Sequence, residues 1–402
     1  MRRNSGSDKS EKVIYVYFLE SFEERINGYK TFRNTLIKAF STINYLHISV
    51  ITENSPADKV SRAILDGIEY ISFPLIERGR FDALENHFRM EIRKHRNMVF
   101  LSNFSPSIFN AYVVKKLFPE AVFIHVVHDL PWLLHLNGDV RLYERWLKDD
   151  DFTFDDATEH FLRYSGYDTL KTAAYADRIV CLCGSTYNIF KDIYGIAKEK
   201  LTIIPNGLSD KYVTINNPTK RKFREKYGIP EDKYVVLLVG RLCVAKGADR
   251  INRLIGKIRF DQPPCLVYIG EDDISQWIEE SCGLQVLSLG KRDRDEIFEI
   301  YSIADFGLLP SRYEQCSYVG IEMMMAGIAV ITTHSYGLSD MFDAENAIIV
   351  NEHYEEVREL NDIDRIRSNG RLRYSSRYSI HNMVDGWIRI ISESCNQHLK
   401  GG

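Results

Sequence analysis

The feature that most restricts the fold is a succession of short, uniformly apolar runs separated by segments of helical spacing. In the first half the runs are VIYVYFL (13–19), YLHISVI (45–51), MVFLS (98–102), VFIHVVH (122–128), RIVCLC (178–183) and LTIIP (201–205). The second half repeats the plan with YVVLLVG (234–240), CLVYIG (265–270), LQVLSLG (284–290), FGLLP (306–310), AVITT (329–333) and AIIV (347–350). Runs apolar on both faces read as strands of a parallel sheet covered on each side by helices. An α/β chain is therefore expected.

At 402 residues the chain exceeds what one core usually supports. The stretch PNGLSDKYVTINNPTKRKF (205–223) breaks both periodicities and reads as a linker. The expectation is two doubly wound domains, 1–207 and 208–379, facing across a cleft. Such sheets bind ligands at the carboxyl ends of their strands. The last segment, HNMVDGWIRIISESC (381–395), has helical spacing and either caps the second domain or crosses back. Crossing back would make residues 380–402 complete the first domain.

A formal charge of -4 argues against nucleic acid as the main partner. No run approaches the roughly 20 apolar residues that span a bilayer. The polar start MRRNSGSDKSEK does not read as a signal peptide, so a cytoplasmic location is expected. Seven scattered cysteines read as reduced core thiols, and Cys181 and Cys183 as core packing rather than a metal half-site. In RMEIRKHRNM (89–98), Arg89, Arg93, Lys94 and Arg96 form a basic cluster with three members at helical spacing. That cluster is either a solvated helix face or a peripheral contact with the inner membrane face.

Two stretches of the second half carry candidate chemistry. In LLVGRLCVAKGADRINRLI a strand ends at Gly240, Arg241 follows, and a loop bears Lys246 and Gly247 before a helical segment. This order can aim two cations and a helix amino end at one diphosphate, although a βα loop with two solvated basic residues has the same letters. It fits neither a Walker loop nor a G-x-G-x-x-G fingerprint. In LLPSRYEQCSYVGIEMMMAG, Glu314 lies on a loop and Ser317 is placed to cap a helix. The amides of Tyr318, Val319 and Gly320 would then be free for an anion. Glu322 falls in the first turns, where a carboxylate can accept two hydrogen bonds from a vicinal diol. The three consecutive methionines read as core.

These stretches, with IIPNGL (203–208), ADRIV (176–180) and HVVHDLP (125–131), resemble retaining glycosyltransferases of the GT-B fold, particularly glycosyltransferase family 4. That family carries a GR...KG loop and an E-x7-E motif, the spacing of Glu314 and Glu322. The resemblance implies two Rossmann-like domains and transfer of a sugar from a nucleotide diphosphate sugar, with no metal or other cofactor. It implies that Arg241 and Lys246 hold the diphosphate, Glu322 the ribose and Glu314 the sugar hydroxyls. It also places Gly240, Ser317, Tyr318 and Val319 at the donor, Gly290 and Arg292 at the base, and His128 near the reacting carbon. The glycine-rich loop of the first domain is reduced to Asn27-Gly28, and SYGLSDMF stands where a double glycine and a glutamate are common. The acceptor is expected to be a glycan, a lipid-linked glycan or a peptide.

Rival readings use the same cleft: a nucleotide-sugar 2-epimerase, a phosphorylase, or a catalytically silent nucleotide-sugar-binding subunit. A metal-dependent transferase would need an Asp-x-Asp at a strand end. Asp149-Asp150-Asp151 meets that spacing in a polar stretch, whereas Glu271-Asp272-Asp273 follows a strand.

Overall fold

The computed structural model describes residues 13–23, 28–75, 81–103, 107–211, 215–279, 284–351 and 358–398. Its first sheet contains β1 (Ile14–Ser21), β2 (Leu46–Ser55), β3 (Ser61–Leu65), β4 (Ile68–Pro74), β5 (Met98–Ser102), β6 (Val122–Val127), β7 (Arg178–Cys181) and β8 (Leu201–Ile203). The order is β3-β4-β2-β1-β5-β6-β7-β8, parallel except for β3 against β4. The second sheet contains β9 (Tyr234–Val239), then, beyond a short β10 (Ile258–Arg259), β11 (Pro264–Ile269), β12 (Gln285–Ser288), β13 (Phe306–Leu309), β14 (Ala329–Thr332) and β15 (Ala347–Ile349). Its order is β12-β11-β9-β13-β14-β15, all parallel, and β10 pairs separately with β16 (Arg358–Glu359).

Every apolar run read as a strand is one, and the central runs are buried on both faces, whereas edge strands β8 and β12 are partly exposed. β5 and β6 are buried at every position. Missing from the sequence reading is the β3–β4 hairpin. Its turn is Asp66-Gly67, both at positive φ (51° and 77°), the Asp-Gly signal of a two-residue hairpin. β3 is exposed throughout, so it lacks the apolar run by which the other strands were found.

The helix Ile380–His398 crosses back onto helix Gly28–Phe40 and β6. Trp387 anchors it, fully buried and edge-on to Phe32 with centroids 5.7 Å apart. The two connections between sheets are tied together: Leu208 N–H donates to Tyr378 O (3.0 Å) and Ile380 N–H to Leu208 O (2.9 Å). Gly207 is required there, since a Cβ would stand 2.5 Å from Ser379 O. Met323, Met324 and Met325 are core, in a hydrophobic cluster that also takes in Phe32 and Trp387. Cys181, Cys183, Cys243, Cys265, Cys316 and Cys395 are free thiols.

The basic cluster is not one helix face. The helix Phe81–Glu91 carries Arg89, paired to Glu85 at 2.5 Å, and ends before Arg93, Lys94 and Arg96, which are exposed on the segment beyond. Asp149 caps the end of helix Val140–Lys148, pairs with Arg145 and accepts the Asp151 N–H, so its carboxylate serves the local turn. Among the described residues no group of three His, Cys, Asp or Glu could hold a metal ion.

Both sheets reverse direction at a central strand, β1 in the first and β9 in the second. Strand connections leave to opposite sides there and open a crevice at the carboxyl ends. On the first sheet's rim, Glu53 is buried (8% exposed) on β2, and desolvation pushes its carboxyl from the ordinary 4.5 up to about 8. The folded chain thus keeps a proton that the unfolded chain loses, and stability falls as pH rises between those values. Glu53→Gln is expected to remove this slope, up to about 1.4 kcal/mol per pH unit. Urea unfolding from pH 5 to pH 8 should show the variant gaining on the parent as pH increases.

Candidate active site

The second sheet's reversal point is built by the loops after β9 and β13. Gly240 follows β9 at φ 119°, and Arg241 comes next, exposed and without a hydrogen-bond or ion-pair partner among the described residues. A 3-10 turn, Val244–Lys246, then brings Gly247 (φ 70°) against the other loop, where a Cβ would stand 1.9 Å from Pro310 O. Buried Arg250 braces the contact, donating to Pro310 O (3.0 Å) and Thr333 Oγ1 (3.1 Å). Arg312 adds a second brace, with two 2.6 Å bonds to Asp249 and its own N–H on Ala245 O (3.0 Å). Neither arginine was singled out from the sequence. Each acts by contact with a loop remote in sequence, and spacing does not reveal that.

The braced loops place Lys246 Nζ 2.6 Å from Glu314 Oε1. Ser311 Oγ donates to the same oxygen at 2.9 Å. The Lys246 charge is therefore shared with Glu314 rather than presented alone. Beyond the loop, Ser317 is the N-cap of helix Tyr318–Met325, its Oγ accepting from Gly320 N–H at 3.2 Å. This corrects one expectation: the Gly320 amide is taken by the cap, leaving those of Tyr318 and Val319 at the helix start. Glu322 faces helix Arg294–Ile303, accepting from Tyr301 OH at 2.9 Å. Burial raises the Glu322 carboxyl above its ordinary range, while the Tyr301 bond and the Arg294 charge oppose that.

Gly290 has φ 68° after β12. Arg292 is turned to its own helix and neighbour, Nη1 on Glu296 Oε1 (3.4 Å) and the guanidinium over the Tyr227 ring (6.0 Å). Gly28 opens helix Gly28–Phe40 with nothing within 4 Å of a Cβ position, and Asn27 lies outside the described residues.

Across the first sheet's reversal point, His128 follows β6. Asn103 Nδ2 donates to Tyr29 O (3.2 Å), so its Oδ1 must accept, and His128 Nε2, 2.8 Å away, is the protonated nitrogen. Nδ1 is left as an acceptor. Desolvation, reinforced by His125, lowers the imidazole pKa to about 3, so His128 is neutral at physiological pH. Its ring packs edge-on to Phe32 at 4.7 Å. His125 is fully buried, and both ring nitrogens lack a hydrogen-bond partner among the described residues.

The geometry thus holds an acid–base pair, an exposed guanidinium and two helix-start amides on the second domain, and a neutral imidazole on the first. Comparison with known proteins shows what the second half and the fold resemble. Residues 219–375 match the family model of the glycosyl transferases group 1. The group 1 match contains Gly240, Arg241, Lys246, Gly290, Arg292, Glu314, Ser317 and Glu322, while His128 and Gly28 lie outside it. An uncharacterized glycosyltransferase of Methanocaldococcus jannaschii is 31% identical over 160 residues, 38% of this chain and 41% of that protein. The D-inositol 3-phosphate glycosyltransferase of Acidothermus cellulolyticus is 25% identical over 246 residues, 55% of this chain and 54% of that one. The chain spans about half the length of the curated relatives it matches.

Solved structures agree on the fold over nearly the whole chain. The sucrose-phosphate synthase of Thermosynechococcus elongatus superposes with TM-score 0.67 at 16% identity, covering 94% of this chain and 98% of its own. Anabaena HepE in complex with UDP and glucose gives TM-score 0.67 at 15% identity, covering 94% of this chain and 100% of its own. The architecture is GT-B, two Rossmann-like sheets with the group 1 match on the second.

Tyr301→Phe removes the hydroxyl bonded to Glu322 while keeping the ring. A hydrogen bond to a charged group contributes about 1.5–3 kcal/mol. Urea unfolding at pH 7 should show a loss of that size, and none if Glu322 draws nothing from Tyr301.

Proposed function

We propose that the chain is a retaining glycosyltransferase of glycosyltransferase family 4 type. It moves a sugar from a nucleotide diphosphate sugar to a glycan, lipid-linked glycan or peptide acceptor, without a metal. The observation that carries this reading is the Lys246–Glu314 pair (2.6 Å) at the reversal point of the second sheet, between exposed Arg241 and the amide end of helix Tyr318–Met325. The group 1 match over residues 219–375 and the UDP and glucose bound by Anabaena HepE, which shares the fold, support a nucleotide-sugar donor.

Breaking the bond from the anomeric carbon to the diphosphate makes the sugar positive and the leaving phosphate negative. Arg241, Lys246 and the Tyr318 and Val319 amides oppose that negative charge, and they act more strongly as it grows. A donor sugar entering beside Glu314 exchanges its hydroxyls for part of the Lys246 contact, freeing the ammonium for phosphate. Glu322, oriented by Tyr301, takes the ribose diol. Neutral His128 offers Nδ1 as an acceptor near the reacting carbon and carries no charge to repel it. The proton of the attacking hydroxyl goes to the leaving phosphate, so no protein nucleophile is needed. The two cations supply what a metal would supply at a diphosphate.

Both motif carboxylates and both cations are present, which favours catalysis over a silent binder. No helix among the described residues is long and apolar enough to cross a membrane. A cytoplasmic location with peripheral contact at the inner membrane face, through exposed Arg93, Lys94 and Arg96, belongs to this reading. Sedimentation with anionic vesicles at low and high salt tests that contact, and absence of binding at both removes it.

The deciding experiment measures nucleoside diphosphate release from a panel of uridine and guanosine diphosphate sugars, with and without acceptors, in excess chelator. Release in chelator is expected. Charge-neutral replacement of Arg241 or Lys246 should slow it by roughly 10²–10³-fold, the cost of removing one electrostatic donor. A requirement for manganese, or donor binding without turnover across acceptors, would overturn the proposal.

A further inference from the structure

Glu314 is flanked by two residues that face the other domain. Tyr313 and Gln315 are buried, 8% and 5% exposed, against the first domain's strand exits. Tyr313 OH accepts Leu130 N–H at 3.2 Å and the Gln315 Nε2–H at 2.9 Å. Gln315 Oε1 accepts from the Thr186 hydroxyl, and Thr186 in turn accepts from Tyr336 OH at 2.6 Å. The order of donors is settled by Gln315. Its oxygen can only accept and its nitrogen only donate, so the chain runs Tyr336 to Thr186 to Gln315 to Tyr313.

Asp340 reinforces the same docking. Its carboxylate accepts the Gly184 N–H (3.1 Å), the Ser185 N–H (3.0 Å) and the Ser185 hydroxyl (2.5 Å), all at the start of helix Gly184–Asn188 in the first domain. Gly184 is needed, because a Cβ would stand 2.6 Å from Asp340 Oδ1. Asn206 Nδ2 donates to Cys316 O at 2.8 Å from the connection between domains. The Glu314 backbone is held between these contacts: its N–H donates to Tyr336 O (3.1 Å), and its carbonyl lies 1.7 Å from where a Gly337 Cβ would be.

The groups assigned to the nucleotide lie elsewhere. Arg241, the Tyr318 and Val319 amides and Glu322 make none of these cross-domain bonds. The segment bearing Glu314 therefore touches the first domain through its neighbours, whereas Arg241, the two amides and Glu322 do not, and Lys246 meets that segment only through Glu314. We propose that Gln315 is a positioning residue that places Glu314 only while the two domains are docked, with Thr186 and Tyr336 as its relay and Asp340 as the anchor. This rests on the reading of Glu314 as the sugar-binding carboxylate. Undocking strips Gln315 of Thr186 and Tyr313 of Leu130. Arg312 and the Glu314 N–H keep their anchors in the second domain, but both side chains flanking Glu314 lose theirs, and the Glu314–Lys246 pair is loosened. A buried network with one missing partner does not compensate, which makes the dependence steep.

The test uses the full chain with Gln315→Leu and Thr186→Val, each close in size and lacking the polar group, and Asp340→Asn as a milder variant. For whichever uridine or guanosine diphosphate sugar turns over, kcat is expected to fall at least tenfold in Gln315→Leu and Thr186→Val. The nucleoside diphosphate Kd by calorimetry should stay within threefold. The double variant should be no worse than the worse single one, and Asp340→Asn should lower kcat about threefold with the same split. An unchanged kcat, or a Kd that weakens in proportion to kcat, overturns the proposal. X-ray scattering of the ligand-free proteins reads the docking without reference to activity. A larger radius of gyration in the folded variants supports the latch, and an unchanged one overturns it. If Gln315→Leu does not fold, Thr186→Val and Asp340→Asn carry the same comparison. If no nucleoside diphosphate binds the parent, the functional reading falls, while the scattering result still decides the latch.

Discussion

The approach of Gly247 to the Pro310 carbonyl is the constraint on which the second domain's rim depends. Two loops that follow different strands are brought so close that a methyl group would overlap a carbonyl oxygen at 1.9 Å. Only a residue without Cβ, free to sit at φ 70°, permits this. Because of it the Lys246 ammonium reaches a carboxylate from another loop, 68 residues further along the chain. Arg250 holds the approach from beneath and Arg312 from the side, so the pair is set by backbone packing rather than by its own attraction. A partly buried ion pair reached by solvent on the lysine side contributes little to stability by itself. Its geometry is therefore available to respond to a ligand.

The two carboxylates of the motif sit in different surroundings despite their fixed spacing. Glu314 lies beside a cation and a serine hydroxyl on a loop. Glu322 lies on a helix, where burial disfavours its charge and a tyrosine hydroxyl restores part of it. The first is held by its own domain while its neighbours Tyr313 and Gln315 reach the opposite one, and the second is held by its own domain alone. That difference separates sugar grip from nucleotide grip, and it follows from where each backbone segment is anchored.

How much was legible in the sequence varied with the physics behind each element. Buried parallel strands announce themselves as apolar runs, and Ser317 announced a helix start through its capping chemistry. The exposed β3 carried no such run, and only the Asp66-Gly67 turn marked it. The resemblance set Arg292 at the base, and the fold has its guanidinium against Glu296 and Tyr227. Spacing alone could not say which neighbour claims a long, flexible side chain. Three of Arg89, Arg93, Lys94 and Arg96 stood at helical spacing, yet the helix stopped at Glu91 and divided the cluster.

The sequence by itself determined the two parallel sheets, the strands at whose ends the chemistry sits, and the chemical identity of the groups gathered there. Hydrophobic period and side-chain type are local properties, and a chain displays them without folding. Tertiary structure alone decided that Lys246 meets Glu314, that Gly320 is capped rather than free, that Asn103 sets the tautomer of His128, and that Gln315 reaches Thr186. Apart from the local Ser317 cap on Gly320, each of these is a contact between segments distant in the chain. Its existence depends on distances of a few tenths of an ångström, which only packing sets.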